Sequence, residues 1–259
     1  MCDIKAGKHR RKCYNEKEAR YHKVSNDNFF GILGGMGTLA SESFIRLINR
    51  KANAKSDQEY FDYVLINHAS IPDRTEYLLG RAEDNPLNYL LRDIQRFNIL
   101  KCSFLVIPCN TAHAFYERLQ KESICEILHM PKITVNEIVD RNQAGKKIGF
   151  LGTEGSIYSG VYEKLVKETG NQIYYPNPSL QLKINALIYD DVKRKSTLNV
   201  SKLYGIIEDM RKDGNLELVV LGCTELSWIY ESGSLIKMDK GILDSQLLVV
   251  EEVIRRLKK

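Results

Sequence analysis

No run in this chain stays apolar for the roughly 18–20 residues that a membrane-spanning helix needs, and no secretory apolar core stands near residue 1. A membrane protein is therefore not expected. Six cysteines occur, but their spacings do not resemble a disulfide framework, which argues for a reducing cytosol. The pattern GxGxxG is missing, and no acidic residue closes a following strand to hold a ribose, so a nicotinamide site is not expected. Excess charge is also scarce outside the N-terminus. The net charge is +5, and residues 1–28 carry eight Lys/Arg against four Asp/Glu, which leaves the body nearly neutral. Charge gives a nucleic-acid role for the body no support. The basic extension, HRRKC included, has too few apolar residues for a core of its own. It reads as a solvated or loosely helical segment rather than a nucleic-acid or membrane arm.

What is present starts with residues 103–113, SFLVIPCNTAH. Four successive apolar residues read as a short strand buried on both faces, and a helical pattern follows through Ala112, Phe115, Tyr116 and Leu119. Cys109 thus falls at the carboxyl end of a buried strand, where open α/β sheets put their chemistry. Residues 218–226, LVVLGCTEL, repeat the arrangement around Cys223.

The repeat extends further. An apolar strand at residues 29–33 runs into Gly34-Gly35-Met36-Gly37 and a helix, a turn that lets backbone approach a ligand. Residues 147–165 lie over residues 29–47 without a gap, matching Gly31 to Gly149, Gly34 to Gly152 and Gly37 to Gly155 at an offset of 118, while the two cysteines are 114 apart. So long a period reads as a duplicated domain, not a solenoid. Between these landmarks come a strand at residues 63–67, a polar loop carrying Arg74, a helix at 86–99, a short strand at 132–135 and a helix or connector at 136–142. In the second half a helical stretch ends near Lys193, another spans residues 198–212, and the chain closes on a helix at 246–257. The alternation predicts an α/β fold: two pseudo-symmetric, doubly wound parallel-sheet domains facing each other across a cleft. The expected division is a basic extension at 1–28, a first domain of 29–130 plus about 240–259, and a second of 131–239.

Two facing thiols suit proton transfer at carbon. One sulfur removes an α-proton, the other delivers a proton to the opposite face, and the configuration inverts. A helix N-terminus beside each cysteine is expected to favour its thiolate. The same N–H groups, with Asn110, Thr111 and Thr224, suit an α-carboxylate and its developing charge. A lone cysteine at a strand end is more often a small core residue, the reading given to Cys2, Cys13, Cys102 and Cys125. Duplication sets Cys109 and Cys223 apart. Cys109-x3-His113 and Cys125-x3-His129 have helical ligand spacing, but a zinc site needs both pairs to converge, and His113 is expected to pack on its helix. Residue logic leaves Arg74 and Lys193 open between solvated cations and cleft residues.

LGGMG at 33–37, IPDRT at 71–75, PCNTAH at 108–113, SGVYEK at 159–164 and GCTEL at 222–226 together resemble the cofactor-independent aspartate/glutamate racemases, over about residues 29–259. The resemblance implies Cys109 and Cys223 as the base and acid pair, a small amino-acid substrate, a homodimer, and no pyridoxal phosphate, metal or nucleotide. It also implies that Met36 and Gly37 line the site, that Asn110, Thr111 and Thr224 hold the α-carboxylate, and that Thr153 sits near it. Arg74 of IPDRT and Lys193 of IYDDVK then grip a side-chain carboxylate, which favours aspartate. Thr38 departs from the family's usual Pro, and the basic extension is outside the family core. Two other readings remain: a same-scaffold decarboxylase or cis–trans isomerase of small diacids, and a catalytically silent amino-acid-binding regulator.

Overall fold

The computed structural model describes residues 29–141, 145–233 and 239–258. The basic extension, with Cys2 and Cys13, lies outside them. Among the described residues, eight strands make two four-stranded, wholly parallel sheets of matching order.

In the first sheet β1 (Phe30–Gly34) is buried along its whole length, as a strand covered on both faces must be. Gly35 follows at φ +97, and a Cβ there would lie 2.6 Å from the His68 backbone nitrogen, so this turn needs glycine. Helix α1 (Thr38–Ala52) buries Ala40, Phe44, Leu47 and Ile48 and stops at Asn53 in the left-handed conformation. Strand β2 (Tyr63–Asn67) pairs with β1, and α2 (Arg74–Leu78) starts under Asp73, whose carboxylate accepts the Thr75 and Glu76 N–H groups. Helix α3 (Pro86–Leu100) leads back to the inner strand β3 (Phe104–Val106), then α4 (Tyr116–Glu122) and β4 (Glu126–Leu128).

Residues 132–135, expected as a strand, are helical. Pro131 stands in the first turn of α5 (Met130–Asp140), the His129 ring accepts the Lys132 N–H, and Met130, Thr134, Val135 and Ile138 form the buried stripe. The β-branched pair Ile133 and Thr134 reads as a strand locally, but a capped, proline-opened turn overrides that preference. The strand of this region is β4 instead.

The second domain repeats the plan with β5 (Lys147–Gly152), α6 (Glu154–Tyr158), α7 (Val161–Glu168), β6 (Gln172–Tyr174) and α8 (Pro178–Asn185). A π-helical stretch, Ala186–Arg194, continues α8, and α9 (Val200–Gly214) returns to β7 (Leu218–Gly222). Strands β3 and β7 hold equivalent inner places, so Cys109 and Cys223 leave equivalent strand ends. Helix α10 (Thr224–Ser232) follows Cys223 directly, whereas Cys109 is followed by a single 3-10 turn, Thr111–Phe115.

Residues 240–259 divide where the sequence reading keeps them together. Strand β8 (Ile242–Asp244) is an edge of the second sheet, paired with β7. Helix α11 (Ser245–Leu257) then crosses to the first domain, where Val249, Val250 and Val253 pack with Phe30, Ile32 and Phe44. Burying a valine contributes about 1.5–3 kcal/mol, so this crossing ties the domains firmly. A second tie lies across the cleft: a Cβ on Gly155 of α6 would meet the Thr75 Cα at 2.7 Å, so only glycine lets α6 and α2 approach this closely.

Candidate active site

The strand ends and the first turns after them enclose a small cavity of about 10 Å³, room for roughly one water. Cys109, Asn110 and Thr111 enter from the first domain, Thr153, Lys193, Cys223 and Thr224 from the second, and Met36 and Arg74 also line it. Gly37 does not. It lines an adjoining chamber of about 340 Å³, which shares Met36, Arg74 and Lys193 with the inner cavity.

Arg74 is 6% exposed and held by backbone. One Nη donates to the Met36 carbonyl at 2.8 Å and the other to the Pro72 carbonyl at 3.1 Å, while the buried Nε has no partner. Burial works against its charge, but the negative charges of Cys109, Asp73 and Glu225 outweigh burial and raise its pKa. Lys193 behaves alike: burial is offset, chiefly by Glu225, and its pKa is raised. Its Nζ lies 3.6 Å from Asp73 Oδ2, 3.9 Å from Glu225 Oε1 and 4.6 Å from the centre of the Tyr189 ring. The wider turn of the π-helical stretch brings Tyr189 and Lys193 to this contact, a common setting for such turns. Asp73 in turn is held below the usual carboxylate range: burial raises it, but Lys193, Arg74 and two backbone N–H bonds prevail.

The two thiols are equally buried, each 5% exposed, but differ in setting. Cys223 Sγ donates to Glu225 Oε2 at 2.9 Å. Burial first, and the Glu225 charge second, push this thiol well above its ordinary pKa. The expectation that the adjacent helix N-terminus favours the thiolate therefore fails at Cys223, although it stands at the N-cap position of α10. A carboxylate two residues away and full desolvation exceed a dipole contribution of about 1 kcal/mol. Cys109 instead neighbours the Arg74 guanidinium.

The expected carboxylate-binding residues are tied into the domain interface. Asn110 donates to Ser245 Oγ at 3.0 Å and accepts the Tyr162 hydroxyl at 2.6 Å. The hydroxyls of Thr111, Thr153 and Ser156 form a closed triangle with edges of 2.9, 2.9 and 3.1 Å, spanning both domains. Thr224 reaches Glu225 Oε2 at 3.4 Å. His113 packs as expected: its Nδ1 donates to the Cys109 carbonyl at 2.9 Å and its Nε2 accepts the Met130 N–H at 3.2 Å. Among the described residues no group of three or more His, Cys, Asp and Glu side chains converges.

Sequence reasoning assigns no role to Asp73, Thr75, Tyr189 or Glu225, yet all four line the cavity. Each stands inside a quoted motif, within a few residues of a named one. For two of them a signal was available, the carboxylates Asp73 beside Arg74 and Glu225 two residues after Cys223; Thr75 and Tyr189 carry none.

Known proteins resemble this chain in sequence and in fold. A family model described as Asp/Glu/Hydantoin racemase matches residues 33–253. The broad specificity amino-acid racemase RacX of Bacillus subtilis is 23% identical over 228 residues, covering 86% of this chain and 96% of its own. The glutamate racemase of Aquifex pyrophilus is 25% identical over 170 residues, covering 64% and 63%. Aspartate racemase of Picrophilus torridus shares the fold at a TM-score of 0.69, with 24% identity and coverage of 88% and 94%. With most of its length matched by the family model and its two sheets built alike, the chain belongs to the Asp/Glu/hydantoin racemase family, as an isomerase acting on amino acids.

Proposed function

We propose that the protein is a cofactor-independent racemase of aspartate, with glutamate as a near neighbour, working by two-base proton transfer between Cys109 and Cys223. One observation carries this reading: two thiols at equivalent strand ends of two domains line one cavity together with two cations, the buried Arg74 and the half-buried Lys193.

A thiolate at one cysteine takes the α-proton as the C–H bond breaks. The thiol at the other gives its proton to the opposite face of the carbon, so thiol and thiolate exchange places and the configuration inverts. Cys223 enters as the thiol, its proton directed at Glu225. Asn110, Thr111 and Thr224 receive the α-carboxylate, with Thr153 behind Thr111, and their donors meet the charge that develops there. Arg74 and Lys193 receive the second carboxylate, releasing the long contacts of Lys193 to Asp73 and Glu225. A fixed guanidinium sets the distance between the two carboxylates, which favours aspartate. One methylene is worth only about 1–3 kcal/mol, so glutamate turnover at a lower rate is compatible. The family resemblance supports a homodimer, which sedimentation velocity tests.

Proton NMR of L- and D-aspartate and both glutamates in D₂O, with chelator present, tests the reaction. Wild type exchanges the α-hydrogen of aspartate with inversion, and Cys109→Ser and Cys223→Ser do not racemise. Absence of exchange for all four enantiomers overturns the reading.

A further inference from the structure

Aspartate brings three charged groups, and the two-thiol mechanism proposed above seats only its carboxylates. If that mechanism holds, the α-ammonium needs an acceptor of its own in the same cavity. Most acceptors there are already engaged. The Met36 carbonyl takes Arg74, Asp73 Oδ1 takes two backbone N–H groups, and Asn110 Oδ1 takes Tyr162. The hydroxyls of Thr111 and Thr153 close on each other and on Ser156. Glu225 differs. Its Oε2 accepts from Cys223 Sγ at 2.9 Å, but its Oε1, in a side chain only 5% exposed, has no hydrogen-bond partner. A buried acceptor left unmade is costly, and a carboxylate oxygen most of all.

We infer that Glu225 Oε1 is the seat of the substrate's α-ammonium, and that this contact makes the site select α-amino acids over diacids of the same length without the amine. The assignment rests on the racemase reading, and charge accounting supports it. Glu225 Oε1 is faced by Lys193 at 3.9 Å. When the substrate's second carboxylate takes Lys193, that oxygen loses its cation, and the ammonium arriving on the same molecule replaces it. On the Gly37 side no side chain intervenes: a Cβ built there would be in ordinary contact with Oε1, at 3.5 Å, and glycine leaves that space to a ligand. One carboxylate then bridges the Cys223 sulfur and the ammonium, which brings the carbon bearing the amine beside the thiol that must reach it. The ammonium, kept charged by its partner, also draws electrons from that carbon and eases loss of the α-proton.

Binding of aspartate, malate and succinate to wild type and to Glu225→Gln tests this, with α-hydrogen exchange measured alongside. Wild type is expected to bind aspartate about tenfold or more tighter than succinate or malate, the range of a charge-assisted hydrogen bond. Glu225→Gln, which keeps the shape and can still accept from the thiol, should weaken aspartate about 10- to 100-fold while succinate binding holds or tightens. Retained succinate binding also reports an intact site. A variant that keeps the wild-type aspartate-to-succinate ratio, or weakens both ligands equally, overturns the assignment while leaving the racemase reading standing if wild type still exchanges. If the variant does not fold, the wild type decides alone: no preference for the amine over succinate and malate overturns the assignment. Wild type that neither binds aspartate nor exchanges its α-hydrogen overturns both.

Discussion

The Cys223 thiol is hydrogen-bonded to the Glu225 carboxylate at 2.9 Å, within a cavity where Cys109, equally buried, has a guanidinium for a neighbour. The pseudo-symmetric backbone thus carries an asymmetric pair of sulfurs. An enzyme that moves a proton from one side of a carbon to the other needs such asymmetry at rest, since two thiols cannot abstract and two thiolates cannot deliver.

Alkylation reads this difference directly. Exposure is the same for both, so their rates report the thiolate population rather than access. Iodoacetamide at neutral pH, followed by peptide mass spectrometry, should label Cys109 before Cys223. Glu225→Gln removes the second-largest cause of the raised Cys223 pKa, and Cys223 labelling should then rise by about tenfold for each unit of pKa lowered. Equal labelling of both cysteines in wild type contradicts the asymmetry.

Arg74 is positioned by two carbonyls that a shorter, single-headed cation cannot reach together. Arg74→Lys should therefore lower kcat/KM on aspartate by about a hundredfold or more, the cost of losing a buried charge contact. Steady-state rates on aspartate and glutamate in parallel provide the check, and an unchanged KM for aspartate would separate Arg74 from substrate binding.

Much of this arrangement is readable in the sequence because it rests on local signals that repeat. Apolar strands ending in Gly34-Gly35 and in Gly152 mark the two starts, and the strand–cysteine–hydroxyl pattern at Cys109 and Cys223 marks the two site-bearing ends. The pattern fails where tertiary context decides. Helix α5 overrides the β-branched residues within it, and strand β8 joins the second sheet by pairing with β7, a partner that its own three residues do not encode. Likewise, a helix N-terminus can be read beside Cys223, but the desolvation and the Glu225 contact that outweigh it exist only once the domains close.

Tyr189 presents a hydroxyl to the cavity with no partner, its pKa pushed up to about 12, mainly by burial, so it remains a donor throughout the working range. Tyr189→Phe removes an unsatisfied buried group and should stabilise the protein without substrate by about 1 kcal/mol in urea unfolding. If the hydroxyl meets the substrate, the same change raises KM several-fold with little loss in kcat. A destabilised variant would mean the hydroxyl already has a partner.

Asp244 offers a test of stability away from turnover. Its carboxylate accepts from Ser227 Oγ at 2.6 Å and caps α11 through the Gln246 and Leu247 N–H groups, but full burial raises its pKa from 3.8 to about 6. Between these values the folded chain keeps a proton that the unfolded chain has released. The contribution of this proton is complete below about pH 3.8 and is lost as pH rises through 6, a change of about 3 kcal/mol at 1.36 kcal/mol per unit. Asp244→Asn keeps the cap geometry without the titration. Urea unfolding from pH 4 to 7 should therefore show the variant gaining on wild type as pH rises, with the gain concentrated between pH 4 and 6. A wild-type-minus-variant difference that is flat across that window would place the folded Asp244 carboxyl near its ordinary value, with its three hydrogen bonds and the α11 N-terminus offsetting the cost of burial.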